Sequence, residues 1–139
     1  MDTVSISKKG IGTYDSVRDQ DVVSTKSPVA LVTMLFDKAC VLLKTAMRAL
    51  ESNDNQAFHQ SALHALQIVL SLRFVLDTDS GSELSQSLFG TYTTIAASLK
   101  KAKEEQDAAA IATIYEALDE LRTAWHSVAK PQPEKSDRQ

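Results

Sequence analysis

The sequence is short of several residue types, and each shortage removes a class of explanation. Its 139 residues contain one cysteine, Cys40, so no disulfide framework is available, and a lone thiol among apolar residues fits a reducing compartment. Four glycines are too scattered to form a glycine-rich phosphate loop. Three histidines, His59, His64 and His126, show no paired spacing with carboxylates of the Glu-x-x-His kind, so no metal site and no cofactor is expected. Positive charge is not in excess: the net charge is -3 and Lys and Arg are spread along the chain, which speaks against nucleic acid or an anionic membrane as a partner. No uncharged apolar run reaches the length of a membrane span, because Asp37 and Lys38 interrupt the best candidate. The N-terminus is polar and shows no secretory signal, so a cytoplasmic location is expected.

What remains is a chain with 43% hydrophobic residues, enough for one domain with a real core. Residues 1–26 are rich in Ser, Thr, Asp and Gly, and read as a flexible segment compatible with a short helix near Tyr14 to Val23. Ser27 followed by Pro28 then marks a helix start, a capping hydroxyl before a proline whose missing N–H costs nothing there. Helices are predicted over about 28–50, 54–77, 82–105 and 107–129. Asn53 or Asp54 caps the second, Ser80 and Glu83 stand in capping-box spacing for the third, and Asp107 caps the fourth. Residues 130–139, polar and carrying two prolines, read as a disordered tail. Four helices of similar length with short connections predict an all-α fold, an antiparallel up-and-down four-helix bundle over 27–129.

The apolar residues are not distributed evenly among these helices. The fourth has one stripe, Ile111, Ile114, Leu118, Leu121, Trp125 and Val128, and the third has Leu84, Leu88, Tyr92, Ile95, Leu99 and Ala102, with Phe89 off the line. The first has two adjacent stripes: Leu31, Leu35, Ala39, Leu42, Ala46 and Ala49, and beside them Val32, Phe36, Cys40, Leu43, Met47 and Leu50. Its polar remainder is Thr33, Asp37, Lys44 and Arg48. The second has a core stripe from Phe58 to Leu76 and, nearly opposite, Leu63, Leu70 and Phe74. A bundle helix rarely buries both sides, so the surplus apolar surface of the second helix marks a partner site, while for the first helix a four-helix core that needs wide faces accounts for the second stripe equally well. The candidate binding residues are Val32, Phe36, Leu43 and Met47 with Leu63, Leu70 and Phe74, leaving Leu31, Leu35 and Leu42 for the core.

Two other readings stay open at this point. An exposed histidine on a four-helix bundle can carry a phosphoryl group, but "HALQI" supplies no Lys or Gly after His64, and Gln60 and Gln67 share its face. A homodimerising structural bundle would bury the second seam against its own copy. Cys40, with only Lys44 as a cationic neighbour one turn on, reads as a buried structural thiol.

The run "GIGTY" followed by "TKSPVALVTMLFDKA" resembles the start of the flagellin-specific export chaperones, the FliS family, whose pattern is an early Tyr and then T-A-S-P-x-x-L-I-x-M-L-Y/F-D-G-A. Ala65, Ile68, Leu72, Leu76 and Asp77, then Gly81, Leu88, Tyr92, Leu99 and Ala102, then Asp107, Ile111, Leu121, Arg122 and Trp125 continue the likeness to about Val128. Departures are Lys26, Lys38, Ser87 and Thr94, and Ala97 and Ser98 stand where many members carry a basic pair. The resemblance implies a cytoplasmic, non-enzymatic bundle that binds the disordered C-terminal segment of flagellin, prevents its premature polymerisation and delivers it to the flagellar type III export apparatus. It also implies an export-gate protein as second partner, an N-terminal cap carrying Ile11 and Tyr14, and a monomer or weak homodimer.

Overall fold

The computed structural model describes residues 27–76 and 82–129. The expectations placed on residues 1–26, on 77–81 and on 130–139, including the cap residues Ile11 and Tyr14, the end of the second helix at Asp77 and the capping role of Ser80, lie outside the described residues.

Four helices make up the described chain: α1 Pro28–Glu51, α2 Asn55–Val75, α3 Glu83–Glu105 and α4 Ala108–Ala129. Each begins where a side chain can satisfy a free backbone N–H. The Ser27 hydroxyl accepts from Ala30 N at 3.1 Å, with Pro28 following it, and Asp54 Oδ1 accepts from Ala57 N at 3.1 Å. Asp107 Oδ1 accepts from Ala110 N at 3.1 Å. For α3 the cap is Ser82 rather than Ser80, its hydroxyl accepting from Ser85 N at 3.2 Å. Glu83 is therefore the first helical residue and cannot complete a capping box, which needs an acid two positions further on. Such caps are typically worth about 1 kcal/mol each.

The turns are tight. Between α1 and α2, Asn53 takes left-handed backbone (φ 59) and Asp54 N reaches back to Ala49 O at 2.8 Å. Between α3 and α4, Gln106 does the same (φ 53), with Asp107 N bonded to Ala102 O at 3.0 Å. Connections this short leave the next helix no choice but to run back beside the last. Cross-helix contacts agree. His59 near the start of α2 meets Gln106 at the end of α3, while Arg73 near the end of α2 meets Thr93 in α3. On the closing side His126 near the end of α4 meets Asp37 near the start of α1. The result is an all-α, antiparallel up-and-down bundle in which α1 packs against both α2 and α4, and α3 does likewise.

Its centre is aromatic. Phe36 of α1 meets the Tyr92 ring edge-on at 5.8 Å and stacks near Trp125 at 6.5 Å, and the Trp125 indole N–H donates to the Tyr92 hydroxyl at 2.9 Å. Burial pushes that hydroxyl's pKa up to about 12, so it stays neutral and free to accept. The same core continues along the bundle through Leu43, Leu72, Val69, Leu99, Ile111 and Leu118, with Phe58 towards the α2 start.

The position of α1 answers why it carries two apolar stripes: one covers α2, the other α4, and both are consumed. Val32 (2% exposed), Phe36 (0%) and Leu43 (0%) are core residues. Their assignment to a partner surface is corrected here, because a helix flanked on two sides needs more than one buried face. Leu31 and Leu35 are buried, while Leu42 is only half-buried against the core edge. Thr33, grouped with the polar remainder, is buried, its hydroxyl donating to Ala30 O at 2.7 Å. At the other extreme, Leu84 and Val128, both assigned to core stripes, are exposed, lining an apolar recess between the α3 start and the α4 end.

Phe36→Ala is expected to cost about 3–5 kcal/mol in urea unfolding, the range for emptying a closed aromatic site. Tyr92→Phe, which keeps the ring but strands the Trp125 N–H, is expected to cost about 1–3 kcal/mol.

Candidate binding surface

With the core complete, the apolar side chains left outside it define the candidate surface. Leu63, Leu70 and Phe74 are 44%, 37% and 55% exposed and recur at seven- and four-residue spacing along the outer side of α2. The opposite side of the same helix, Phe58, Ala62, Ala65, Val69 and Leu72, is buried. No carboxylate occurs anywhere in Asn55–Val75, and the exposed polar residues of the helix include Gln56, Gln60, His64 and Gln67. Met47 of α1, the fourth α1 residue assigned to binding, is half-buried against the core edge.

The α2 stripe has a neighbour on α3 that the periodicity of α3 already set apart. Phe89 is exposed, and the Arg73 guanidinium lies over its ring at 5.2 Å while donating from Nη1 to Thr93 Oγ1 at 3.3 Å. A planar cation over an aromatic face holds Phe89 in place at the edge of the stripe. Half-exposed Leu and Phe side chains covered by a partner would each contribute on the order of 1 kcal/mol at the usual area coefficient.

Between α1 and α2 runs an open groove of about 690 Å³ lined by Met34, Leu35, Val41, Ile68, Asp37, Lys38, His64 and Gln67. Local sequence around His64 offers no lysine, yet the fold brings Lys38 across from the neighbouring helix. Val41, at 57% exposure, is an apolar residue that the two-stripe reading of α1 left out. The signal was available: it follows Asp37 by four and precedes Lys44 by three, inside the polar sector.

On the far side of Val41 a second groove, of about 380 Å³, separates α1 from α4 and is largely electrostatic. Asp37 Oδ1 lies 2.8 Å from His126 Nε2 and 3.6 Å from Arg122 Nη1, and Arg122 is held by Asp119 Oδ1 at 2.8 Å. The Lys44 ammonium sits over the Tyr115 ring at 5.3 Å. These groups are partly exposed, so the ion pairs orient the helices more than they stabilise them. Cys40 lies beneath. Arg122, not Lys44 alone, is its cationic neighbour, but burial first, with the Asp119 and Asp37 carboxylates adding to it, pushes the thiol up to about 11.

The third seam, between α3 and α4, is open along much of its length. An apolar recess of about 180 Å³ is walled by Leu84, Leu88, Leu121, Ala124, Trp125 and Val128, and a larger groove of about 630 Å³ runs beside Ser87, Gly90, Thr91 and Thr94. Among the described residues no group of His, Cys, Asp and Glu is arranged to hold a metal ion, and no helix is long and apolar enough to cross a membrane.

Comparison with known proteins places this geometry. The family model described as flagellar protein FliS matches residues 10–132. The flagellar secretion chaperone FliS of Escherichia coli (strain K12) is 30% identical over 118 residues, covering 84% of this chain and 87% of that protein. Its counterpart in Salmonella typhimurium is 31% identical over 121 residues, covering 86% and 90%, and that of Bacillus subtilis (strain 168) is 27% identical over 119 residues, covering 86% of each. A crystal structure described as a flagellar chaperone from bacteria superposes with a TM-score of 0.67 at 18% identity, covering 86% of this chain and 94% of the other, and so shares the fold.

A thiol held protonated and buried should react with Ellman's reagent at pH 8 far more slowly in the native protein than in denaturant. Fast native labelling of Cys40 would show that the α1–α4 groove opens.

Proposed function

The chain belongs to the FliS family of flagellar proteins, a family of secretion chaperones and not of enzymes, and from that premise we propose that its cargo is the disordered C-terminal segment of flagellin, held in the cytoplasm until export. The observation that carries the reading is the uncharged apolar stripe Leu63, Leu70 and Phe74 on a bundle whose core closes without it. Met47 at the core edge belongs to the same proposal.

The physics suits a chaperone of a polymerising protein. An amphipathic segment that pairs with others of its kind through an apolar face cannot do so while that face lies on α2. Because such a segment orders only on binding, part of the contact free energy is spent on fixing its backbone, and the complex stays reversible without nucleotide. Delivery to the flagellar type III export apparatus, through an export-gate protein, requires that reversibility. In the same reading Ile11 and Tyr14 serve as a competing cap, so removal of residues 1–26 is expected to strengthen binding of the flagellin segment.

The double substitution Leu70→Ser with Phe74→Ser is expected to weaken calorimetric binding of a flagellin C-terminal peptide about tenfold or more, the loss of roughly 1.4 kcal/mol or more of apolar contact. Its urea midpoint should stay close to that of the unsubstituted protein, since both side chains are largely exposed. Unchanged affinity would rule the stripe out as the cargo surface, and loss of the fold would show that these residues are structural.

A further inference from the structure

The groove between α1 and α2 has a charge pattern that the cargo reading does not use. Its apolar floor is Leu35 and Ile68, with Met34 and the exposed Val41 along the α1 edge. Three ionisable groups line it: Asp37, Lys38 and His64. Asp37 is already engaged from the other side, by His126 and Arg122 of α4. Lys38 and His64 have no ion-pair partner among the described residues, and Lys38 is exposed. Beyond the groove, Arg48 extends the outward face of α1 and meets only the Thr45 hydroxyl, at 3.4 Å, whereas Lys44 turns to the α4 side, over the Tyr115 ring. The α2 wall contributes no carboxylate at all. In a chain of net charge -3, this is a local cationic face beside an apolar slot.

We propose that this groove is a second docking site, for an acidic amphipathic helix of another protein, which seats an aliphatic side chain against Leu35, Val41 and Ile68 and places a carboxylate between Lys38 and His64. The site does not depend on what occupies the α2 stripe. Charge complementarity selects the occupant. A basic helix would meet Lys38 and Arg48 with like charge, whereas an acidic one is steered to this face and repelled from the carboxylates elsewhere on the chain. The apolar floor favours a peptide helix over a purely charged polymer, which would leave Leu35, Val41 and Ile68 uncovered.

The test uses the full chain, isotope-labelled, with two synthetic helical peptides of about 18 residues, roughly five turns, that share one leucine stripe and carry Glu or Lys at every polar position. The expected result is saturable shifts in the amides of Lys38, Val41, His64, Gln67 and Ile68 with the Glu peptide alone, weakening as salt rises. Lys38→Glu should reduce Glu-peptide affinity by about fivefold, the scale of one exposed charge contact, and raise that of the Lys peptide. Equal binding of both peptides, shifts centred on Leu63, Leu70 and Phe74, indifference to Lys38→Glu, or equal response of the same amides to a single-stranded oligothymidine would each overturn the proposal. Circular dichroism of the Lys38→Glu protein should match the parent, because Lys38 is exposed.

Discussion

The contact of Phe36 with Tyr92 and Trp125 is the constraint on which the rest of this bundle depends. It ties α1 to α3 across the diagonal and to α4 alongside, and it does so with three large side chains whose only polar groups satisfy each other through the indole N–H and the phenol oxygen. Aromatic pairs of this geometry add about 0.5–1.5 kcal/mol beyond their buried area. More important is their exactness of fit: a ring stacked at one distance and edge-on at another leaves little freedom for α1 to rotate. Once that rotation is set, Val32 and Leu43 point inward and Val41 points outward.

That orientation decides what the surface can be. Because α1 is flanked by α2 and α4, most of its apolar excess is absorbed internally, and among the described residues the large apolar side chains that remain uncovered are Val41 on α1, Leu63, Leu70 and Phe74 on α2, Leu84 and Phe89 on α3 and Val128 on α4. On the proposed reading, the apolar stripe on the outside of α2, a helix with a complete inner face, serves a partner and not the fold. For a member of a family of flagellar secretion chaperones, a transient apolar partner is the physical match. The absence of carboxylates from α2 suits that proposal, since a segment laid along Leu63, Leu70 and Phe74 would bury little negative charge and avoid the desolvation penalty it would bring.

Electrostatics adds direction to this picture. Two carboxylates are engaged at the α1–α4 groove, where Asp37 and Asp119 share Arg122 and Asp37 also meets His126. On α1, Lys38 and Arg48 lie outside that groove and are exposed. On the proposed readings the bundle presents two surfaces with different selection rules, an apolar stripe on α2 that lacks carboxylates and a groove edged by Lys38 between α1 and α2.

Much of the architecture was legible before any coordinates. Ser27-Pro28, Asp54 and Asp107 mark helix starts because capping is a local matter of one side chain and one N–H, and the stripe Leu63, Leu70, Phe74 is visible because a helix interior and exterior are fixed by its own 3.6-residue period. The sequence alone also carries the family likeness, from the Ser27 to Asp37 motif onward. What it could not decide is how many neighbours each helix has. The two stripes of α1 look identical whether the second meets a partner or another helix of the same chain, and only packing against both α2 and α4 made Phe36 and Leu43 core. For the same reason Lys38 beside His64, Arg122 beside Cys40 and the uncovered Leu84 and Val128 were beyond reach: each depends on the relative rotation and splay of two helices, a quantity set by side chains far apart in sequence.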